Sequence, residues 1–121
     1  MIQTMNFLGL VVKDLDTATA FYRDTLGLKI NEAESIPNQY TQFETNGGAV
    51  FALLTGFEKE GIDQSFDAAL AVPDVDAVYE KWQASGADFL GEPYDMPFGR
   101  TAFVRTPDGH VLRVYTPASA N

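Results

Sequence analysis

The same pattern, an apolar run followed by an acidic motif, occurs twice in this chain. Residues 7–12 form a short apolar, partly β-branched run, and Lys13-Asp14-Leu15-Asp16 follows it directly. Sixty positions later the largely apolar run 67–72 leads into Pro73-Asp74-Val75-Asp76. An apolar run of this length predicts a strand covered on both faces. An internal repeat in so short a chain indicates two copies of one supersecondary unit.

In the first copy, apolar residues at helical spacing follow the acidic motif, from Leu15 to Leu26. Asp14 or Asp16 is expected to cap this helix, and Gly27 to end it in a left-handed conformation. Strands are then predicted over residues 28–34, 39–45 and 49–55. They are separated by a turn at 36–38 and by the hairpin signal Asn46-Gly47-Gly48.

The second copy follows a linker-like stretch, residues 56–65. It predicts a strand at 66–72, a helix at 75–85 capped by Asp74 and ended by Gly86, and a strand at 87–90. A Pro-rich loop precedes strands at 100–105 and 110–116, which the turn residues 106–109 connect. Each half is therefore βαβββ. Since one helix covers one face of a sheet, the other face of each sheet must meet something else.

Composition and charge narrow the function classes. The 121 residues are 45% hydrophobic, which suits one folded domain over residues 1–121 with module one at about 6–55 and module two at about 66–117. A net charge of -9 disfavours nucleic acid and anionic membranes as partners. We find no apolar run long enough to span a membrane and no signal segment at the start, so we expect a cytoplasmic protein. The absence of cysteine excludes disulfides and thiolate chemistry.

Three motifs together resemble one known superfamily. They are Val12-Lys13-Asp14-Leu15-Asp16, the segment 20–28 (Ala-Phe-Tyr-Arg-Asp-Thr-Leu-Gly-Leu), and Thr106-Pro107-Asp108-Gly109-His110. The chain resembles the vicinal oxygen chelate superfamily, which includes glyoxalase I, bleomycin-resistance proteins, fosfomycin-resistance enzymes and extradiol dioxygenases. The resemblance implies an α+β fold of two tandem βαβββ modules, whose mixed sheet curls into a cup. It also implies a homodimer in which a second chain completes the cups.

Strand alternation predicts which side chains line this cup. The more consistently apolar set is assigned to the helix-covered face and includes Leu10, Leu53, Val72 and Val114. The other set is assigned to the cup. It comprises Phe7, Gly9, Val11, Val50, Ala52, Leu54, Asp67, Ala69, Ala71, Val111, Arg113 and Tyr115, with Arg100 and Ala102 added if Phe103 is core.

The resemblance also locates the metal-ligand positions of the superfamily. Metal-using relatives carry His, Gln or Glu near the start of each module's first strand and within its last strand. The matching positions here are Phe7, Ala52, Asp67 and Arg113. One carboxylate and one cation make a poor donor set for a divalent ion, so we expect no metal and no cofactor. The single histidine, His110, is interpreted as a polar hairpin residue.

Asp67 and Arg113 are the informative charged pair, because relatives bring both positions to one ion. We expect their side chains within salt-bridge reach. Two roles stay open: a buried structural ion pair, or a pair that orients a ligand. The candidate ligand-binding residues are Phe7, Asp67, Phe98, Arg100, Arg113 and Tyr115. No catalytic residue is assigned.

Two functions remain from the sequence. One is a metal-free protein of the bleomycin-resistance type that sequesters an aromatic or amphipathic small molecule. The other is an enzyme on the same scaffold, a lyase, isomerase, transferase or dioxygenase relative, which would use acid/base residues or a metal held at other positions. The missing donor set favours the binding protein.

Overall fold

The computed structural model describes residues 2–118. The chain divides into two compact units. The first unit is Phe7–Asp67, and the second joins Asn6 and the residues before it to the part that begins at Ala68. Both units combine helix and sheet with parallel and antiparallel strand pairs, so the predicted α+β class is confirmed. Over residues 2–118, no helix is long and apolar enough to cross a membrane.

The described residues form two α-helices and eight strands. In chain order these are β1 Thr4–Val11, α1 Leu15–Ala20, β2 Tyr40–Phe43, β3 Val50–Leu54, β4 Phe66–Ala71, α2 Val75–Ala84, β5 Asp88–Phe89, β6 Tyr94–Met96, β7 Gly99–Arg105 and β8 Val111–Pro117. A five-residue π-helical turn, Phe21–Thr25, continues α1.

In the first unit, β3 lies between β2 and β1. It runs parallel to β1, with Phe7 opposite Val50, and antiparallel to β2. Helix α1 packs on one face of this sheet. The core there contains Leu15, Phe43 and Leu53, with Leu10 and Val12 packed against it. The predicted helix-covered side of these strands is therefore correct.

The second unit repeats this arrangement. β4 runs parallel to β8, β8 pairs antiparallel with β7, and both β5 and β6 pair with β7. Helix α2 covers a core that includes Val72, Val75 and Val114. The sequence β1, α1, β2, β3 thus corresponds to β4, α2, β7, β8, which is the duplication that the apolar pattern predicts.

The starts and ends of both helices repeat as well. A carboxylate oxygen of Asp14 accepts a hydrogen bond from the Thr17 amide at 3.1 Å, and Asp74 accepts one from the Ala77 amide at 3.2 Å. Gly86, which follows α2, has φ 101°, a left-handed conformation that a side chain would strain. Of the two predicted candidates, Asp14 and Asp16, Asp14 is the cap of α1, and the predicted cap Asp74 of α2 is confirmed.

Two predicted elements are wrong, one strand and one loop. Residues 28–34 make only an isolated bridge between Ile30 and Phe43, because a turn at residues 32–34 ends the pairing with β2. The segment interpreted as a Pro-rich loop contains β6, a strand of three residues that hydrogen-bonds to β7. Prolines flank this strand but do not interrupt it, so its amides remain available to pair.

The cap of α2 can be tested by Asp74→Ala. Loss of the bond to the Ala77 amide should lower the free energy of unfolding by about 1 kcal/mol. Chemical denaturation would measure it, with Asp63→Ala as the control because it removes the same charge from the exposed linker. Equal effects of the two substitutions would contradict the capping role.

Candidate functional site

The second unit carries an aromatic and cationic cluster on the sheet face opposite its helix-covered core. On β8, Val114 is fully buried in that core, so its neighbours Arg113 and Tyr115 point to the other face. The antiparallel register places Phe103 opposite Arg113 and Thr101 opposite Tyr115. The cluster therefore follows from strand alternation on two paired strands.

Arg113 is the centre of this cluster. Its side chain is buried, and its guanidinium carbon lies 4.5 Å from the ring centre of Phe103 and 5.0 Å from that of Phe98. Its Nη1 donates a hydrogen bond to Thr101 Oγ1 at 3.3 Å. Cation–π contacts of this kind stabilise a guanidinium that has lost much of its water. Phe98, in contrast, is 43% exposed, so a ligand can reach its ring.

Tyr115 adds a fixed aromatic wall. Its ring meets Phe98 edge to face, with 6.0 Å between the ring centres. Its hydroxyl donates a hydrogen bond to Asn6 Oδ1 at 2.7 Å. The sequence predicted Tyr115 and Phe98 as site residues but missed Asn6, Thr101 and Phe103. Only the strand register reveals the last two.

Arg100 lies on the other side of the sheet from Arg113, so its predicted place in the cup is wrong. It pairs with Thr116, its Nε donates to Asp76 Oδ2 of α2 at 2.8 Å, and its Nη1 donates to Asp95 Oδ1 at 3.0 Å. These bonds, that to Asp76 first, raise the pKa of the guanidinium.

Ala102 and Phe103 are exchanged relative to the prediction for the same reason. Ala102 lies in the core under α2, and Phe103 faces Arg113. Both residues are fully buried, so the apolar pattern alone does not distinguish their faces.

Gly99 fixes the position of Phe98. Its φ of 148° is rarely adopted by residues with a side chain, and a β-carbon there would overlap the carbonyl oxygen of Thr116. The backbone of Phe98 itself is also held in place, because its carbonyl accepts a hydrogen bond from the Ala118 amide at 2.9 Å. Close approach of β7 to β8 thus holds Phe98 beside Arg113.

The first unit contains the two other predicted site residues. Phe7 lies on the face opposite α1, and its ring covers Gly9, where a β-carbon would be 3.0 Å from Phe7 Cε2. Asp67, the last residue of the unit, is 3% exposed. Since Asp67 and Arg113 belong to different units, their pairing stays a prediction.

A tyrosine and an amide on β2 were missed by the sequence analysis. The hydroxyl of half-buried Tyr40 donates a hydrogen bond to Gln42 Oε1 at 2.7 Å. Burial, with smaller contributions from the charges of Glu34 and Asp67, raises the pKa of Tyr40 to about 12. The phenol is therefore protonated at neutral pH and keeps its hydrogen for Gln42.

The residues present do not fit the metal site that the resemblance implies. The four corresponding positions hold a phenyl ring, a methyl group, one carboxylate and one guanidinium, in Phe7, Ala52, Asp67 and Arg113. A divalent ion needs several oxygen or nitrogen donors without their own positive charge. Among residues 2–118, no three His, Asp or Glu side chains are grouped so that they could hold an ion.

The chain thus carries two copies of one helix-and-sheet module, and the second copy holds a partly exposed aromatic cluster on the sheet face opposite its helix. The family model of the Glyoxalase/Bleomycin resistance protein/Dioxygenase superfamily matches residues 4–114. This chain belongs to that superfamily, as the resemblance of its motifs implied.

Individual relatives extend this finding. The chain is 29% identical over 119 residues to the phenazine antibiotic resistance protein EhpR of Enterobacter agglomerans, a match that covers 92% of this chain and 90% of EhpR. It is also 29% identical to the metallothiol transferase FosB of Shouchella clausii, covering 96% and 82% of the two chains. The structure of a glyoxalase/bleomycin resistance protein/dioxygenase superfamily member from Vibrio splendidus 12B01 has the same fold, with a TM-score of 0.75, 18% identity and coverage of 93% and 99%.

The anchoring role of Gly99 can be tested by Gly99→Ala. The new β-carbon must displace backbone, so we expect a loss of about 1–3 kcal/mol in the free energy of unfolding. Gly48→Ala is the matched control, since no atom lies within 4 Å of its added β-carbon, and it should change stability by less than about 0.5 kcal/mol. Indistinguishable denaturation midpoints for both variants and the wild type would refute the close approach.

Proposed function

We propose that this protein binds a planar aromatic small molecule carrying an anionic group and sequesters it without a metal ion. The observation that carries this proposal is the guanidinium of Arg113, buried beside the ring of Phe103 and within 5.0 Å of the exposed ring of Phe98. A flat cation next to an accessible phenyl ring is complementary to a flat ligand with a carboxylate at its edge.

Arg113 is suited to this recognition for two reasons. Burial removes competing water, so a carboxylate that reaches the guanidinium gains more than it would at the surface. Thr101 and the two aromatic rings restrict the side chain before any ligand arrives, which lowers the entropy lost on binding. Tyr115 restricts the ring of Phe98 in turn.

The similarity to EhpR supports the aromatic part of the proposal. Its name assigns it resistance to a phenazine antibiotic, and phenazines are planar tricyclic aromatics. We extend a ligand of this class to the present chain. Phe7 and Asp67 are proposed as further ligand contacts in the first unit, and the cytoplasm is the proposed site of action.

An enzyme remains the second candidate. The similarity to FosB, named a metallothiol transferase, favours it, and the buried carboxylate of Asp67 would be its acid or base. The poor donor set at the four metal positions argues against a transferase of the metal-dependent kind.

We also propose a homodimer. Several large apolar side chains are about half exposed, among them Met5, Leu8, Phe21 and Leu26. Burial of such groups is what drives specific association, and a stable interface should cover more than about 1,000 Å². Sedimentation equilibrium at micromolar concentration should give twice the chain mass of 13.3 kDa. A stable monomer under these conditions would remove the dimer.

The ligand proposal can be tested with phenazine-1-carboxylate and unsubstituted phenazine as matched probes. Wild-type protein should bind the carboxylate about 10- to 100-fold more tightly, the contribution of a hydrogen-bonded charge. In Arg113→Met this preference should vanish, because the charge is lost while side-chain length is kept. Isothermal titration calorimetry would measure both affinities, and chromatography of the released ligand should recover it unchanged.

Two further variants make this test specific. Arg105→Met removes an equal charge from the same sheet at an exposed position, where Arg105 pairs with Asp88, and should keep the preference. Phe98→Leu should weaken both probes about two- to tenfold. A folded Arg113→Met protein that still prefers the carboxylate would contradict the proposal, and a chemically altered ligand would favour the enzyme.

A further inference from the structure

The first unit contains a cleft whose lining includes no residue of the Arg113 cluster. Its volume is about 320 Å³, within the range of small-ligand pockets. The cleft is lined by residues of β2, of the turn that follows it, of the start of β3 and by Asn31; the lining residues that bear on recognition are Asn31, Gln42 and Glu44. We call it the hairpin cleft. All of these residues belong to the first unit, whereas Arg113, Phe98 and Tyr115 belong to the second.

Gln42 lines this cleft, and its amide oxygen already has a partner. Its Oε1 accepts the hydrogen bond from the Tyr40 hydroxyl at 2.7 Å, which assigns the oxygen to Tyr40 and leaves the two N–H donors of Nε2 for a ligand. The raised pKa of Tyr40 keeps the phenol protonated over the physiological range. Tyr40 therefore determines which end of the amide is available to a ligand.

Asn31 and Glu44 complete the polar lining. Asn31 Oδ1 accepts a hydrogen bond from the Glu34 amide at 3.3 Å, which leaves the N–H donors of its Nδ2 for a ligand. Its backbone amide donates to the Gln42 carbonyl at 2.7 Å, so the two amide residues are tied together. The Glu44 carboxylate lies 3.6 Å from Lys29 Nζ and retains oxygen lone pairs as acceptors.

We propose that the hairpin cleft binds an uncharged carboxamide group, such as a primary amide or a lactam. The ligand carbonyl would accept from the amide nitrogens of Gln42 and Asn31, and its N–H would donate to Glu44. A carboxylate of the same shape is disfavoured, because it lacks that donor and places a second negative charge beside Glu44, whose partner Lys29 is largely exposed and screened by water. The hairpin cleft is proposed to prefer an uncharged amide, whereas Arg113 is proposed to prefer a carboxylate. The two proposals can therefore be refuted independently.

Benzamide and benzoate are isosteric probes that test this cleft. In two-dimensional ¹H–¹⁵N spectra of the full chain, benzamide should shift the side-chain NH₂ signals of Gln42 and Asn31 with a millimolar affinity. Benzoate at equal concentration should leave these signals unmoved. The proposal would be overturned if benzoate moved the Gln42 and Asn31 signals as far as benzamide does. It would also be overturned if benzamide moved only signals of residues outside the cleft.

Variants test whether specific side chains of the cleft determine the affinity for benzamide. Gln42→Glu exchanges the donor for an acceptor and should weaken benzamide at least tenfold, while Gln83→Glu, an exposed exchange on α2, should not. Tyr40→Phe removes the hydrogen bond that orients the Gln42 amide. The affinity for benzamide should therefore fall about three- to tenfold. Glu44→Gln should admit benzoate. Unchanged benzamide affinity in folded Gln42→Glu would refute the assignment.

Discussion

A guanidinium buried in a sheet is the strongest constraint on the second unit. A charged group that leaves water is costly unless other groups replace its hydration, and the partners of Arg113 include Thr101 and the faces of Phe98 and Phe103. The register of β7 against β8 brings Phe103 and Thr101 to that face, and the side-chain-free backbone at Gly99 brings Phe98. The chemistry of the site thus follows from how two strands pair.

The sequence predicts the parts of the fold that local physics determines. The repeat at Asp14 and Asp74 locates both helix caps, and the spacing of apolar residues assigns the helix-covered faces of β1, β3, β4 and β8. The predictions for residues 28–34 and for the segment that forms β6 are wrong, because short edge segments depend on partners that are distant in sequence. Their own composition carries little signal.

The faces of β7 show where the sequence analysis stopped short. In the middle of this strand, residues 101–104, the side chains on both faces are buried, so hydrophobicity does not distinguish Ala102 from Phe103. The information lies in the turn at residues 106–109: the Thr106 amide bonds to the His110 carbonyl, which places Arg105 opposite Val111 and Phe103 opposite Arg113. The same register moves Arg100 to the α2 side. Hydrogen bonds between side chains, such as Tyr40 to Gln42, leave no pattern in the sequence.

The proposed function depends on a carboxylate-bearing aromatic ligand that Arg113 holds. The most direct measurement is a crystal structure of the protein with phenazine-1-carboxylate bound. We expect a carboxylate oxygen within about 3 Å of a guanidinium nitrogen of Arg113, and the ring system in contact with Phe98. A ligand that lies elsewhere, or one whose carboxylate points to solvent away from Arg113, would contradict this account.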